Sequence, residues 1–83
     1  MLSIKGEIPM VVTIKLFATF RTGRFGQETR EYAAGTTVGD ILKELNLPVD
    51  EIGATLINHI HVEEDQVLKD GDMLSIFPLV GGG

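Results

Sequence analysis

The sequence predicts one α+β domain: a mixed sheet of four to five strands with a single main helix packed across it. Two patterns carry that expectation. Residues 11–18 alternate with a period of two, the signature of a strand with one buried face. Val38, Ile41, Leu42 and Leu45 then recur at i, i+3, i+4 and i+7, which makes one apolar helical stripe. The segments run hairpin, helix, strands, and that order sets one helix against one sheet.

The first strand spans Val11 to Ala18. Val12, Ile14, Leu16 and Ala18 share one face, and Val11, Thr13, Lys15 and Phe17 share the other. Phe20 to Gln27 holds Gly23 and Gly26 among polar residues and reads as a turn, after which Glu28 to Ala33 pairs back as a hairpin strand. Thr37 is placed to cap the helix, and Asp40, three residues on, completes a capping-box variant. Asn46 and Pro48 end the helix, because Asn tolerates a left-handed cap and Pro cannot continue the ladder. Two brief strands follow near Ala54–Ile57 and Ile60–Val62, with Asn58 and His59 between them. Lys69-Asp70-Gly71-Asp72 is a turn, Met73 to Phe77 is the last strand, and Pro78 ends it. Residues 1–9 are expected to be a disordered extension, with Met10 a candidate start. Residues 10–78 are expected to be the domain, and residues 79–83 a flexible tail. The expected core is Val12, Ile14, Leu16, Ile41, Leu42, Leu45, Leu74 and Ile76.

Eighty-three residues leave room for one small domain. The chain has no cysteine, which excludes disulfides, thiolate metal sites and a thiol nucleophile. Twelve acids against seven Lys/Arg give a net charge of −5, which argues against nucleic acid as a partner because phosphate binding needs a basic surface. The acids concentrate in the C-terminal half, which suits a basic protein partner. No apolar run is long enough to span a bilayer and no signal-peptide pattern opens the chain, so no membrane role and a cytoplasmic location are expected.

The C-terminal Gly81-Gly82-Gly83 is the unusual feature. Glycines lack a Cβ, so such a tail can thread a channel too narrow for side chains. Its terminal carboxylate, ionised at neutral pH, can attack the α-phosphate of ATP. A frayed terminus is the alternative. Phe17 and Phe77 have the opposite parity to the core residues of their strands. If the first and last strands are neighbours, both rings stand on the face away from the helix, either as a docking patch or partly buried under a loop. His59 and His61 have i, i+2 spacing, but nothing nearby completes a metal site, so no metal is expected. Arg21, Arg24 and Arg30 read as a solvated edge. Gly23-Arg24-Phe25-Gly26 lacks the residues of a phosphate loop. With no nucleophile–base pair or carboxylate dyad, a free-standing enzyme is not expected.

Several stretches resemble the MoaD/ThiS sulfur-carrier family: Lys15-Leu16-Phe17-Ala18-Thr19-Phe20-Arg21, Gly35-Thr36-Thr37-Val38-Gly39-Asp40, Leu68-Lys69-Asp70-Gly71-Asp72, and Ile76 through Gly83. The resemblance covers roughly Met10 to Gly83. It implies a ubiquitin-like β-grasp fold and a cycle in which a ubiquitin-activating-type enzyme adenylates Gly83. A persulfide then converts the carboxylate to a thiocarboxylate, which donates sulfur to a biosynthetic enzyme. Gly82 and Gly83 carry the chemistry in this reading. Phe17, His61, Phe77, Leu79, Val80 and Gly81 meet the partners, no cofactor is bound, and the activating partner uses ATP. The strand motif and Ile76-Phe77-Pro78 resemble the small subunit of molybdopterin synthase, whose partner is the large subunit. The Val-Gly-Gly-Gly ending resembles the thiamin-thiazole carrier, whose partner is thiazole synthase. Leu79 departs from the molybdopterin branch, where a second proline is common, and His61 stands where that branch favours an apolar residue. A modifier joined to lysines through Gly83 and an interaction module with an inert tail remain as alternatives.

Overall fold

The computed structural model describes residues 8–79. Their elements run β1 (Met10–Leu16), β2 (Gln27–Tyr32), α1 (Val38–Glu44), β3 (Ile52–Ile57), β4 (Ile60–His61) and β5 (Met73–Pro78). Short 3-10 turns occupy Ala18–Arg21 and Val49–Glu51. The sheet order is β2-β1-β5-β3-β4. β1 and β5 run parallel at its centre, and the other pairs are antiparallel. The result is the mixed sheet with one helix expected from the sequence, in the β-grasp arrangement.

Alternation in β1 and β5 buries Met10, Val12, Ile14, Leu16, Leu74 and Ile76 against Val38, Ile41 and Leu42 of the helix. Seven of the eight expected core residues are buried. Leu45 is the exception: it is half-buried, because α1 ends at Glu44 and Leu45 is already the C-cap. The helix begins as its sequence dictates. Asp40 N donates to Thr37 Oγ1 at 3.2 Å and Thr37 N donates to Asp40 Oδ2 at 3.0 Å, the reciprocal pair of a capping box. Hydrogen bonding with Thr37, through its backbone N–H first and its side chain second, holds the Asp40 carboxyl below the usual carboxylate range. The next N–H groups, of Val38 and Gly39, donate to the carbonyls of Gln66 and Glu64, so the long loop after β4 closes the helix start. At the other end Asn46 takes φ 57°, Asn46 N donates to Lys43 O, and Leu47 N donates to Leu42 O. This is a Schellman motif, and it turns Leu47 back into the core.

Ala18, expected on the inner face of the first strand, departs from that place. It is exposed at φ 54°, and the chain leaves β1 after Leu16 into the 3-10 turn. The turn throws Phe20 inward, where it is buried and joins the core. Leu68 is buried from an irregular loop, held by its N–H to Thr36 O at 2.9 Å. At the Asp-Gly turn, Gly71 takes φ 89° and Lys69 N donates to Asp72 Oδ2. Val11 N donates to Asp70 Oδ1 at 2.7 Å, which ties the turn to β1. No helix among the described residues is long and apolar enough to cross a membrane.

Candidate functional site

Sheet parity sets the outer face, away from α1. β1 places Val11, Thr13 and Lys15 there and β5 places Met73, Ser75 and Phe77. Because β1 and β5 are parallel with Leu16 opposite Ile76, the next residue on each strand is phenylalanine. The Phe17 and Phe77 rings stack with centroids 4.1 Å apart and planes 12° from parallel. Both are half-buried, so the pair presents aromatic surface to solvent. Lys15 Nζ lies 5.9 Å from the Phe17 centroid, within range of a cation–π contact.

The face continues toward the other edge. Ala54 lies opposite Phe77, and a second row runs Lys15, Ser75, Leu56, His61 across four strands. His61 is exposed on β4, directly opposite Leu56. The aromatic pair and His61 therefore share one face, on adjacent rows. His59 falls instead in the turn before β4, where Asn58 and His59 take φ 51° and 74°. Among the described residues, no group of three or more His, Asp or Glu side chains is placed to hold a metal.

The tail root lies beside the stack. Pro78 pairs with Ile52, and Leu79 N donates to Glu51 O at 2.8 Å, while the Leu79 side chain is exposed. The register slips between Ile52 and Ala54, so Gly53 is an extra residue in β3. A Cβ at Gly53 would sit 2.7 Å from Pro78 O and 3.0 Å from Leu79 Cα. Sequence reasoning did not single out Gly53, although an isolated glycine in a strand run is a known mark of a bulge or a close backbone approach. Val80, Gly81, Gly82 and Gly83 lie outside the described residues.

On the opposite side, Tyr32 Oη donates to Glu44 Oε1 at 2.6 Å, and Arg30 also reaches Glu44, at 3.4 Å. These contacts clamp β2 to α1. Burial, then the bond to Glu44, pushes the Tyr32 hydroxyl up to about 12. Two grooves, of about 150 and 240 Å³, open beside β3 and β4. Both fall short of the ~300–1,000 Å³ typical of small-molecule sites. The features that stand out are a flat aromatic face and a backbone anchor at the root of the tail.

The model of the ThiS family matches residues 14–83. The chain belongs to the ThiS family. Its solved relatives include the putative molybdopterin converting factor subunit 1 of Pyrococcus furiosus. That protein is 30% identical with a TM-score of 0.70, over 86% of this chain and 99% of that one. Small archaeal modifier protein 1 of Methanosarcina acetivorans is 25% identical over 92% of this chain and 99% of that one, with a TM-score of 0.66. A Helicobacter pylori chain, solved as a complex of molybdopterin-converting factor subunits 1 and 2, shares the fold at 23% identity and a TM-score of 0.62. The match spans 89% of this chain and 100% of that one. This ThiS-family chain therefore has the fold of ubiquitin-like sulfur carriers and modifiers.

Proposed function

We propose that the protein is a sulfur carrier whose Gly83 carboxylate is the working group and whose outer sheet face is the docking surface. The observation that carries this reading is adjacency. The Phe17–Phe77 stack ends one residue before Pro78, and Leu79 is anchored beside it, so a partner seated on the rings meets the tail at its root. From the Leu79 anchor the four remaining residues reach at most ~13–14 Å, enough to enter an active site while the domain stays outside.

In the proposed cycle a Gly83 carboxylate oxygen attacks the α-phosphorus of ATP on the activating enzyme, and pyrophosphate leaves. The terminal sulfur of a donor persulfide then attacks the acyl carbon and displaces AMP. A thiol reductant supplies two electrons to cleave the resulting acyl disulfide, which leaves the thiocarboxylate. This protein contributes the carboxylate and the docking face. The partner contributes the ATP site, so the chain is a cosubstrate rather than a catalyst. A molybdopterin synthase large subunit is the favoured acceptor, supported by the 30% identity to a putative molybdopterin converting factor subunit. Thiazole synthase is the alternative acceptor.

The likeness to a small archaeal modifier protein supports a second use of the same acyl-adenylate, transfer to a lysine amine. Mass spectrometry of protein purified from its native host separates the readings. A C-terminal thiocarboxylate is expected. An isopeptide-linked remnant on other proteins would favour modification, and an unmodified carboxylate in every fraction would overturn both.

A further inference from the structure

We infer that Gly53 is a positioning residue for the tail: its missing side chain lets the end of β5 lie against the β3 bulge, so that Leu79 is anchored and fixes the root from which the tail departs. This rests on the carrier reading and adds to it where the tail is launched.

The argument is steric. The atoms that a Cβ at Gly53 would strike are Pro78 O at 2.7 Å, and Pro78 C and Leu79 Cα at 3.0 Å. All three are backbone, so no side-chain rotation relieves the conflict, and real Cβ atoms essentially never come as close as the 2.7 Å to Pro78 O. Gly53 has no positive φ, so its role here is close approach rather than a left-handed conformation. Something must move. β3 is held on one side by β5 from Ala54 to Ile57 and on the other by Thr55, whose carbonyl accepts from Val62 N at 2.9 Å and whose Oγ1 donates to Val62 O at 2.8 Å. Among the described residues, the end of β5 is held past Pro78 by the bond from Leu79 N to Glu51 O. The end of β5 is therefore the part that yields, and that bond is the one lost.

The anchor matters because of its position. It follows Phe77 by two residues, so it fixes the direction of departure relative to the aromatic stack. Releasing it adds one residue that must be ordered each time the tail enters a partner's site. Ordering one residue's backbone corresponds to about a tenfold loss in the productive rate. Docking through the rings is left alone, so the loss falls on the chemical step rather than on affinity.

The test compares wild type, Gly53→Ala and the core variant Ile57→Val, chosen to lower stability without touching the tail. Three quantities are read: hydrogen exchange at the Leu79 amide, affinity for the cognate activating enzyme without ATP, and the rate of thiocarboxylate formation with ATP and a sulfur donor. Gly53→Ala should lose Leu79 protection, dock with unchanged affinity and form thiocarboxylate about tenfold more slowly. Ile57→Val should keep Leu79 protection and the wild-type rate. A Gly53→Ala protein that loses the protection but keeps the rate overturns the proposal, as does one that keeps the protection. Should Gly53→Ala fail to fold, an ester in place of the Leu79 amide, introduced by semisynthesis, removes the donor without altering Gly53. It should slow the reaction equally, and a wild-type rate there overturns the proposal. If wild type itself takes up no sulfur, the carrier reading fails, and Leu79 exchange still decides whether Gly53 sets the root.

Discussion

Removing the Phe77 ring should separate docking from folding. Phe77 is half-buried at the end of a central strand and stacked on Phe17 at 4.1 Å. Full burial of a phenylalanine contributes about 1.5–3 kcal/mol, so half of it contributes about 1 kcal/mol, and the stacked pair adds about 0.5–1.5 kcal/mol. Phe77→Ala should therefore lower stability by about 1.5–2.5 kcal/mol. A domain of this size holds roughly 4–12 kcal/mol in total, so the variant stays folded. At a partner interface an aromatic hot spot is worth more than about 2 kcal/mol, which is roughly a thirtyfold loss of affinity or more. Denaturant unfolding measures the first quantity and calorimetric titration with the activating enzyme measures the second. Phe17→Ala and the double variant close a cycle whose coupling should be about 0.5–1.5 kcal/mol. A folded Phe77→Ala protein that binds as tightly as wild type would refute the docking role. A protein that unfolds outright would assign the ring to the core instead.

Three further outcomes follow from the fold. Leu42→Ala, at a side chain only 2% exposed, should lower stability by about 2–5 kcal/mol in a denaturant titration; an unchanged midpoint would contradict the core. His59→Gly should raise stability by about 0.5–1 kcal/mol in the same assay, because φ 74° strains a side chain and suits glycine in this two-residue turn. Tyr32 holds its proton more tightly folded than unfolded, so its contribution is complete below pH 10 and is lost as pH rises from 10 through about 12. Tyr32→Phe should flatten that alkaline slope when unfolding is followed across the window.

What the sequence shows here depends on how local the physics is. The Thr37–Asp40 box and the Asn46 cap are settled within one turn of chain, and both stand where the residues put them. The outer face is legible because a period of two fixes parity, so Phe17 and Phe77 differ in face from Leu16 and Ile76 wherever the strands lie. Their contact depends on the parallel pairing of β1 with β5, some sixty residues apart in sequence, which no local pattern encodes. Phe20 and Leu68 are buried from irregular segments without periodicity. Ala18 is misassigned by alternation because a left-handed alanine is uncommon and its sequence does not announce it. The anchor at Leu79 needs the β3 bulge, a tertiary relation marked in sequence only by Gly53.

The central claim is that sulfur is carried on the carboxylate of Gly83. The direct measurement is the intact mass of the chain after incubation with its cognate activating enzyme, ATP and a sulfur donor, for wild type, a Gly83 deletion and Gly82→Ala. Wild type should gain the mass of one oxygen-to-sulfur exchange at its C-terminus. The Gly83 deletion should dock normally and gain nothing, since its end stops one residue short of the reacting atoms. Gly82→Ala should keep wild-type stability and gain sulfur far more slowly, because a Cβ enters a channel shaped for glycine. A Gly83 deletion that still acquires sulfur and passes it to an acceptor would contradict the mechanism.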